Sequence, residues 1–281
     1  MGRWLGGALA VALLAACGDA RLPAGGPPPP DRVARYAWLA ETRGAPPPVV
    51  FLDELAPDPR GVDRHTATPG SFADWLRGLP LRPVAPGEPV TIAIDLDPDG
   101  PRDGAAASIR LHAEWLWASG RAADAVYRVT TGEPLSWRGW VDGDRFRAVG
   151  GRLIRGQGLA RRADRPSYRA FMKTVAGLTS ARALLLDTEP VAAGAPLEPG
   201  DLLVDAGAPA TAAILLDVAG TGSDGRALVA YRSGLFLRLA GSADGTPRNL
   251  WRPLPTVAGR TLEVAAGTAL SRATARRFRM R

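Results

Sequence analysis

The chain has 281 residues, 46% of them hydrophobic, which is enough to form one large domain around an ordinary core. Its net charge of +7 comes almost entirely from arginine in an Ala-, Gly- and Pro-rich sequence, so the basicity is interpreted as compositional, with attraction to anionic lipid or envelope polymers as the alternative. Cys17 is the only cysteine, which excludes an intrachain disulfide and a cysteine-based metal site.

The first residues have the layout of an export signal. Arg3 precedes an apolar run over residues 5–14, which is shorter than the roughly 20 residues needed to cross a bilayer. The small residues before Cys17 resemble the cleavage site of bacterial lipoproteins, which implies a signal peptide over residues 1–16 and a lipid on Cys17; the alternative is an ordinary secretory signal and a free thiol. The residue directly after Cys17 is Gly18 rather than aspartate. By resemblance to the known sorting rules of bacterial lipoproteins, this favours a lipid anchor in the outer membrane, facing the periplasm.

The rest of the chain predicts a tether followed by one domain. Residues 17–32 are rich in Pro and Gly and predict an extended, lipidated tether, and residues 33–281 predict a single globular domain. Its periodicity predicts an α+β fold, because helices precede a β-rich final third. The predicted helices are 71–79, 103–119 and 168–178, and the predicted strands are 90–94, 126–130, 146–149, 202–204, 212–218, 227–231 and 236–239. The arginines of residues 272–281 predict a frayed, solvated end.

The chain offers few groups for chemistry. Residues 95–100 match the first half of a calcium loop, but position twelve would be Ala106 and lacks the closing glutamate, so no metal site and no cofactor are predicted. Ser108 and His112 lie one helical turn apart, yet their apolar neighbours favour a core histidine over a catalytic base. Four tryptophans between residues 115 and 140 suit a ligand groove, although core packing is the preferred interpretation.

Four stretches together resemble the uncharacterised bacterial lipoprotein family known as domain of unknown function 4846. They are SFADWLRGLPL at 71–81, IAIDLD at 92–97, RLHAEWL at 110–116, and GDLLV at 200–204 leading to ILLDV at 214–218. The resemblance covers residues 60–253 approximately.

The resemblance also implies a fold and a lost site. In the family, a cysteine usually begins the central helix and a histidine begins a strand, an arrangement similar to papain-like cell-wall peptidases. The corresponding positions are Gly104 and Thr211, which cannot act as thiolate or imidazole, and Ala106 stands where the family tends to have an acid. The resemblance therefore implies papain-like helices packed on an antiparallel sheet, without catalytic residues.

Three charged positions that the family shares are interpreted as scaffold or cleft residues. Arg110 and Glu114 have the i, i+4 spacing of a helical ion pair, and Asp217 can accept from backbone donors near the end of a strand. His112 is the remaining candidate for the cleft.

The leading hypothesis is a non-catalytic envelope lipoprotein that contacts the membrane through Cys17 and binds peptidoglycan, a stem peptide or an envelope protein in the former active-site cleft. The alternatives are an envelope hydrolase with an unrecognised site, for instance at Ser108 and His112, and a purely structural lipoprotein. An exported chain rarely meets nucleic acid, so no nucleic acid partner is expected.

Overall fold

The structure is a computed structural model that describes residues 26–41, 45–55, 62–83, 88–96, 104–150, 152–207, 210–221, 224–241, 250–254, 262–265, 268–270 and 273–279. The predicted signal peptide, Cys17 and residues 17–25 of the predicted tether lie outside the described residues. Within them, none of the helices is long and apolar enough to cross a membrane.

Seven α-helices lie within the described residues, and polar caps explain where several of them begin. Ser71, Ser136, Asp164 and Ser180 each accept a hydrogen bond from the amide three residues later, which satisfies a free donor of the first turn. The helices are α1 Pro30–Arg35, α2 Leu52–Leu55, α3 Phe72–Arg77, α4 Ala105–Ala118, α5 Trp137–Val141, α6 Arg165–Leu178 and α7 Ala181–Asp187, with 3-10 turns at Ala37–Glu41 and Ala122–Asp124.

Fifteen strands lie within the same residues, and seven of them form one antiparallel sheet. The strands are β1 Val50–Phe51, β2 Pro80–Leu81, β3 Val126–Arg128, β4 Pro134–Ser136, β5 Asp144–Val149, β6 Arg152–Gln157, β7 Thr188–Pro190, β8 Leu202–Asp205, β9 Thr211–Ala219, β10 Arg226–Ser233, β11 Phe236–Leu239, β12 Trp251–Pro253, β13 Leu262–Ala265, β14 Thr268–Leu270 and β15 Thr274–Phe278. The sheet order is β11-β10-β9-β8-β15-β7, and β12 also pairs with β10. The protein is therefore α+β, with helices and an antiparallel sheet, as the sequence predicts.

Strand β9 lies at the centre of the fold because both of its faces are buried. Ala212, Ile214 and Leu216 point into the main core with the helices, whereas Ala213 and Leu215 point into a second apolar cluster on the other face. This alternation follows from the two-residue period of a strand. Helices α3 and α4 both pack on β9, so this strand fixes the position of the helix that carries most of the predicted site residues.

The predicted strand at residues 90–94 is wrong. Thr91 and Ile92 form only isolated bridges, to Arg238 and Leu81. The amide of Ile94 donates to the carbonyl of Ile92 at 2.8 Å, and this tight turn bends the backbone away from a strand conformation. The four apolar residues of this segment, Val90, Ile92, Ala93 and Ile94, are therefore buried without extending a sheet.

The predicted frayed C-terminus is also wrong for the residues described. Strand β15 lies between β8 and β7, and it contains Arg276 and Arg277. The Arg277 guanidinium forms an ion pair with buried Asp201 at 2.6 Å and another with Glu198 at 3.0 Å. These carboxylates compensate the arginine charge and allow the strand to lie inside the sheet.

The tryptophans contribute to the core. Trp115, Trp137 and Trp140 are buried, and Trp117 packs partly buried against the same cluster, with its ring centroid 4.9 Å from that of Tyr168. Aromatic rings at such distances pack favourably beyond their buried area. Their burial favours core packing over a ligand groove.

Candidate functional site

The N-terminus of α4 lies directly on β9. Gly104 caps the helix with a φ of +81°, a left-handed conformation that glycine adopts readily. A Cβ atom added at this position would overlap the backbone carbonyl oxygen of Ala212. Ala212 directly follows Thr211, the first residue of β9. The structure therefore brings Gly104 next to the start of the strand that Thr211 begins, and the contact leaves no room for a side chain at Gly104.

Arg110, two turns further along α4, is held by a network of ion pairs. Its Nε donates to Glu114 at 2.6 Å, which is the i, i+4 pair that the spacing predicts. The Arg165 guanidinium, from α6, contacts both Glu114, at 2.7 Å, and Glu41. Glu41 also pairs with Arg169 at 3.1 Å. The network connects α4, α6 and the 3-10 turn before β1, and it fixes Arg110 and Arg169 in place.

These two arginines line a cleft of about 430 Å³. We call it the cationic cleft, because its described lining contains four basic side chains and one carboxylate. They are Arg110 from α4, Arg169 and Lys173 from α6, Arg232 from β10, and Asp95. Ala106, in the first turn of α4, also lines the cleft, and Asp95 is the one carboxylate among the described lining residues. The remaining lining is Leu96, Ala170, Met172 and Ala176.

The cleft continues into a second hollow of about 450 Å³. The two share Asp95, Arg110 and Arg169, and the second is also lined by Trp38 and Pro47. A ligand longer than one residue therefore has room to extend across Arg110 and Arg169.

Sequence reasoning missed three of the four basic residues of the cleft. Arg169 and Lys173 stand at i, i+4 on α6, and Lys173 is the single lysine of the chain, which was the available signal. Arg232, near the end of β10, gave no such signal in the sequence. It reaches the cleft because the preceding residue, Tyr231, pairs with Ala213, and this pairing brings Arg232 close to the start of β9.

His112 does not line the cationic cleft. It is buried, its ring stacks on Phe278 at 4.2 Å, and its Nδ1 lies 3.0 Å from the hydroxyl of Tyr127. Burial, with a smaller effect of nearby Arg121, lowers the pKa of His112 to about 3. Ser108 does not face the imidazole as a nucleophile would, since its hydroxyl donates to the carbonyl of Gly104. The two residues therefore do not form a catalytic pair.

The burial of His112 predicts a specific pH dependence of stability. As the pH falls, the unfolded chain binds a proton on His112 near the ordinary histidine pKa of about 6.5, whereas the folded protein does so only near its lowered pKa of about 3. The free energy of unfolding therefore decreases as the pH falls below about 6.5. Wild type is expected to lose about 2 kcal/mol more than His112→Gln between about pH 7 and about pH 5. Urea unfolding of both proteins at both pH values measures this difference; equal losses would contradict the burial of a neutral imidazole.

Asp217 lies away from the cleft, where it connects β9 to α3. The Arg77 guanidinium donates to Oδ1 at 2.7 and 2.9 Å, Arg64 forms an ion pair with Oδ2 at 3.2 Å, and the amide of Val218 donates to Oδ1 at 2.9 Å. Burial raises the pKa of Asp217, and the two arginines offset part of this effect. Asp217 thus supports the scaffold on which α4 rests.

Among the residues described, no group of three or more His, Cys, Asp or Glu side chains is arranged to hold a metal ion. Asp95 is described, whereas residues 97–100 of the half calcium loop lie outside the described part of the chain.

The fold and the site together define an α+β domain with a cationic cleft. The cleft lies beside the N-terminus of α4, where the capping residue Gly104 has no side chain. Residues 88–233, just over half of the chain, match the family described as Domain of unknown function (4846), and the chain belongs to this family. The match spans α4, the cleft and strands β8 to β10. No curated protein and no solved structure matches the chain.

Proposed function

We propose that this chain is a bacterial envelope lipoprotein, anchored through a lipid on Cys17, whose papain-like domain is catalytically degenerate and binds peptidoglycan stem peptides in the cationic cleft. The observation that carries this proposal is the pairing of a missing nucleophile with an intact cleft. Gly104 and Thr211 stand at the nucleophile and base positions that the family resemblance implies, and the cleft begins two residues after Gly104, at Ala106.

The contact of the α4 N-terminus with β9 supports the papain-like interpretation. In papain-like enzymes a helix N-terminus holds the nucleophile against the first strand of a sheet, and the helix dipole stabilises its negative charge. Here Gly104 likewise precedes a helix, α4, and its backbone lies against Ala212 of the central strand β9. The contact accommodates glycine, whereas a Cβ at this position would overlap the carbonyl oxygen of Ala212, which supports a packing role for the helix N-terminus.

The charge of the cleft supports a ligand with carboxylates. Arg110 and Arg169 are oriented by Glu114 and Glu41, and Lys173 and Arg232 add two further positive charges on neighbouring elements. Ligand carboxylates that approach several fixed cations gain charge-assisted hydrogen bonds. Stem peptides are short, end in a carboxylate and contain acidic residues, so they match both the size and the charge of the connected hollows.

Calorimetric titration of the mature, unlipidated chain with a soluble stem peptide tests this proposal. The mature chain begins at residue 17, and Cys17→Ser removes the site of lipidation. Lys173→Glu is the informative variant, because this exposed side chain reaches the cleft and can be replaced without disturbing the core. We expect at least tenfold weaker binding, since a repulsive charge replaces an attractive one.

Arg182→Glu is the matched control, because it makes the same charge change at an exposed position of α7, outside the cleft. Its binding is expected to equal that of wild type. Equal weakening by both variants would show attraction to the net charge alone and contradict a cleft site. Failure of wild type to bind any stem peptide would contradict the choice of ligand and favour an acidic segment of an envelope protein.

A further inference from the structure

Strands β5 and β6 form a hairpin, and among the strands of the described residues they pair only with each other. In its register, Phe146 and Leu153 share one face and pack partly buried against the main core. Arg147 and Ile154 are paired on the opposite face, and so are Val149 and Arg152. We call these last four side chains the outer hairpin face.

Arginines hold the base of the hairpin. The Arg155 guanidinium donates to both carboxylate oxygens of Asp144 at 2.6 to 3.0 Å. The Arg145 guanidinium donates to the carbonyls of Trp140 and Leu159 and lies 4.8 Å from the centre of the Trp140 ring. An isolated two-stranded hairpin is marginally stable in water. These contacts therefore fix the orientation of the hairpin and keep its outer face directed away from the core.

The outer hairpin face combines exposed apolar and basic side chains. Val149 is 50% exposed and Ile154 is 39% exposed, and Leu159, just beyond the hairpin, is 89% exposed. These are three of the six exposed large hydrophobic residues in the described part of the chain. Arg147 and Arg152 form no ion pair with a described residue, whereas Arg155 at the base is paired with Asp144.

The hairpin and the residues that follow it have a strong excess of positive charge. Residues 144–162 contain six arginines and a single acid, Asp144, whose carboxylate is already bound by Arg155. Aliphatic side chains flanked by arginines suit the boundary of a lipid bilayer, where the aliphatic groups reach the acyl chains and the guanidinium groups remain with the phosphates. An exposed apolar patch with a basic border marks an interaction site.

We propose that the outer hairpin face binds the surface of an anionic phospholipid bilayer, independently of any lipid on Cys17 and of the ligand in the cationic cleft. The contact uses the arginines for the lipid phosphates and Val149, Ile154 and Leu159 for shallow insertion. It positions the domain against the membrane by a second point of attachment.

Vesicle flotation of the mature chain with Cys17→Ser tests this proposal, because it separates hairpin binding from a covalent anchor. The probes are vesicles of phosphatidylglycerol and phosphatidylcholine in equal parts, and vesicles of phosphatidylcholine alone. Wild type is expected to float with the anionic vesicles only. Each basic residue near an anionic surface contributes about fivefold in affinity, so Arg147→Glu with Arg152→Glu is expected to weaken binding more than tenfold.

Two further variants keep the test specific. Arg182→Glu with Arg279→Glu makes the same change of net charge at exposed positions elsewhere and is expected to float like wild type. Val149→Ser with Ile154→Ser keeps every charge and is expected to weaken binding by removing the insertion. Absence of flotation by wild type, or equal losses in the two arginine double variants, would overturn the proposal. Binding to an acidic protein instead of vesicles would also overturn it.

Discussion

Replacement of Gly104 by cysteine, the residue that the family resemblance implies at this position, is expected to destabilise the protein by about 3 kcal/mol and to leave it without hydrolytic activity. The free energy of unfolding decreases for two reasons. The left-handed conformation costs a residue with a Cβ roughly 1–2 kcal/mol, and the added Cβ overlaps the carbonyl of Ala212. Urea unfolding measures the loss. Activity is not restored, because Thr211 provides no imidazole and His112 is buried elsewhere.

Two alanine variants separate strain from overlap. Gly104→Ala adds the same Cβ without a thiol and is expected to cost about as much as the cysteine. Gly120→Ala, at the other end of α4, has a similar φ of +71° but nothing within 4 Å of the added Cβ, so it is expected to cost only about 1 kcal/mol. A Gly104→Cys protein as stable as wild type would contradict the close contact between α4 and β9.

Replacement of Asp217 by alanine is expected to lower the unfolding free energy by about 3 kcal/mol. The change leaves Arg77 and Arg64 facing a buried site without their carboxylate, and removal of one partner of a buried ion pair is costly for this reason. Thermal or urea unfolding measures the loss. Stem-peptide binding by the folded fraction is expected to persist, since Asp217 does not line the cleft.

Asp124→Ala is the control for this prediction, because Asp124 forms an ion pair with Arg121 in which both side chains are about one-third exposed. Solvent weakens such a pair, and its loss is expected to cost well under 1 kcal/mol. Similar losses for the two variants would show that Asp217 has no special role in joining α3 to β9.

Local signals were sufficient where one element carries its own pattern. The helix at α6 was predicted from Phe171, Met172 and Val175 at helical spacing, and all three are buried. The central strands β8 to β11 were predicted from apolar runs between turn residues, and the antiparallel sheet follows from them. The ion pair of Arg110 with Glu114 lies within a single helix, so its spacing predicted it.

Features that depend on distant partners were not predictable in this way. Strand β15 enters the sheet because Asp201, 76 residues earlier, accepts from Arg277, and no local pattern shows this. The cationic cleft likewise assembles Arg110, Lys173 and Arg232 from two helices and a strand. Each of these residues alone has the appearance of ordinary surface charge, and only the packing of α4 and α6 beside β10 brings them together.

The central claim is that the domain binds cell wall without cutting it, and incubation of the mature, unlipidated chain with purified peptidoglycan sacculi tests it most directly. The pellet is assayed for bound protein and the supernatant for released fragments. Binding that Lys173→Glu weakens at least tenfold, with no fragments above a protein-free control, is the result we expect. Release of fragments by wild type would contradict the claim and identify the protein as an active hydrolase.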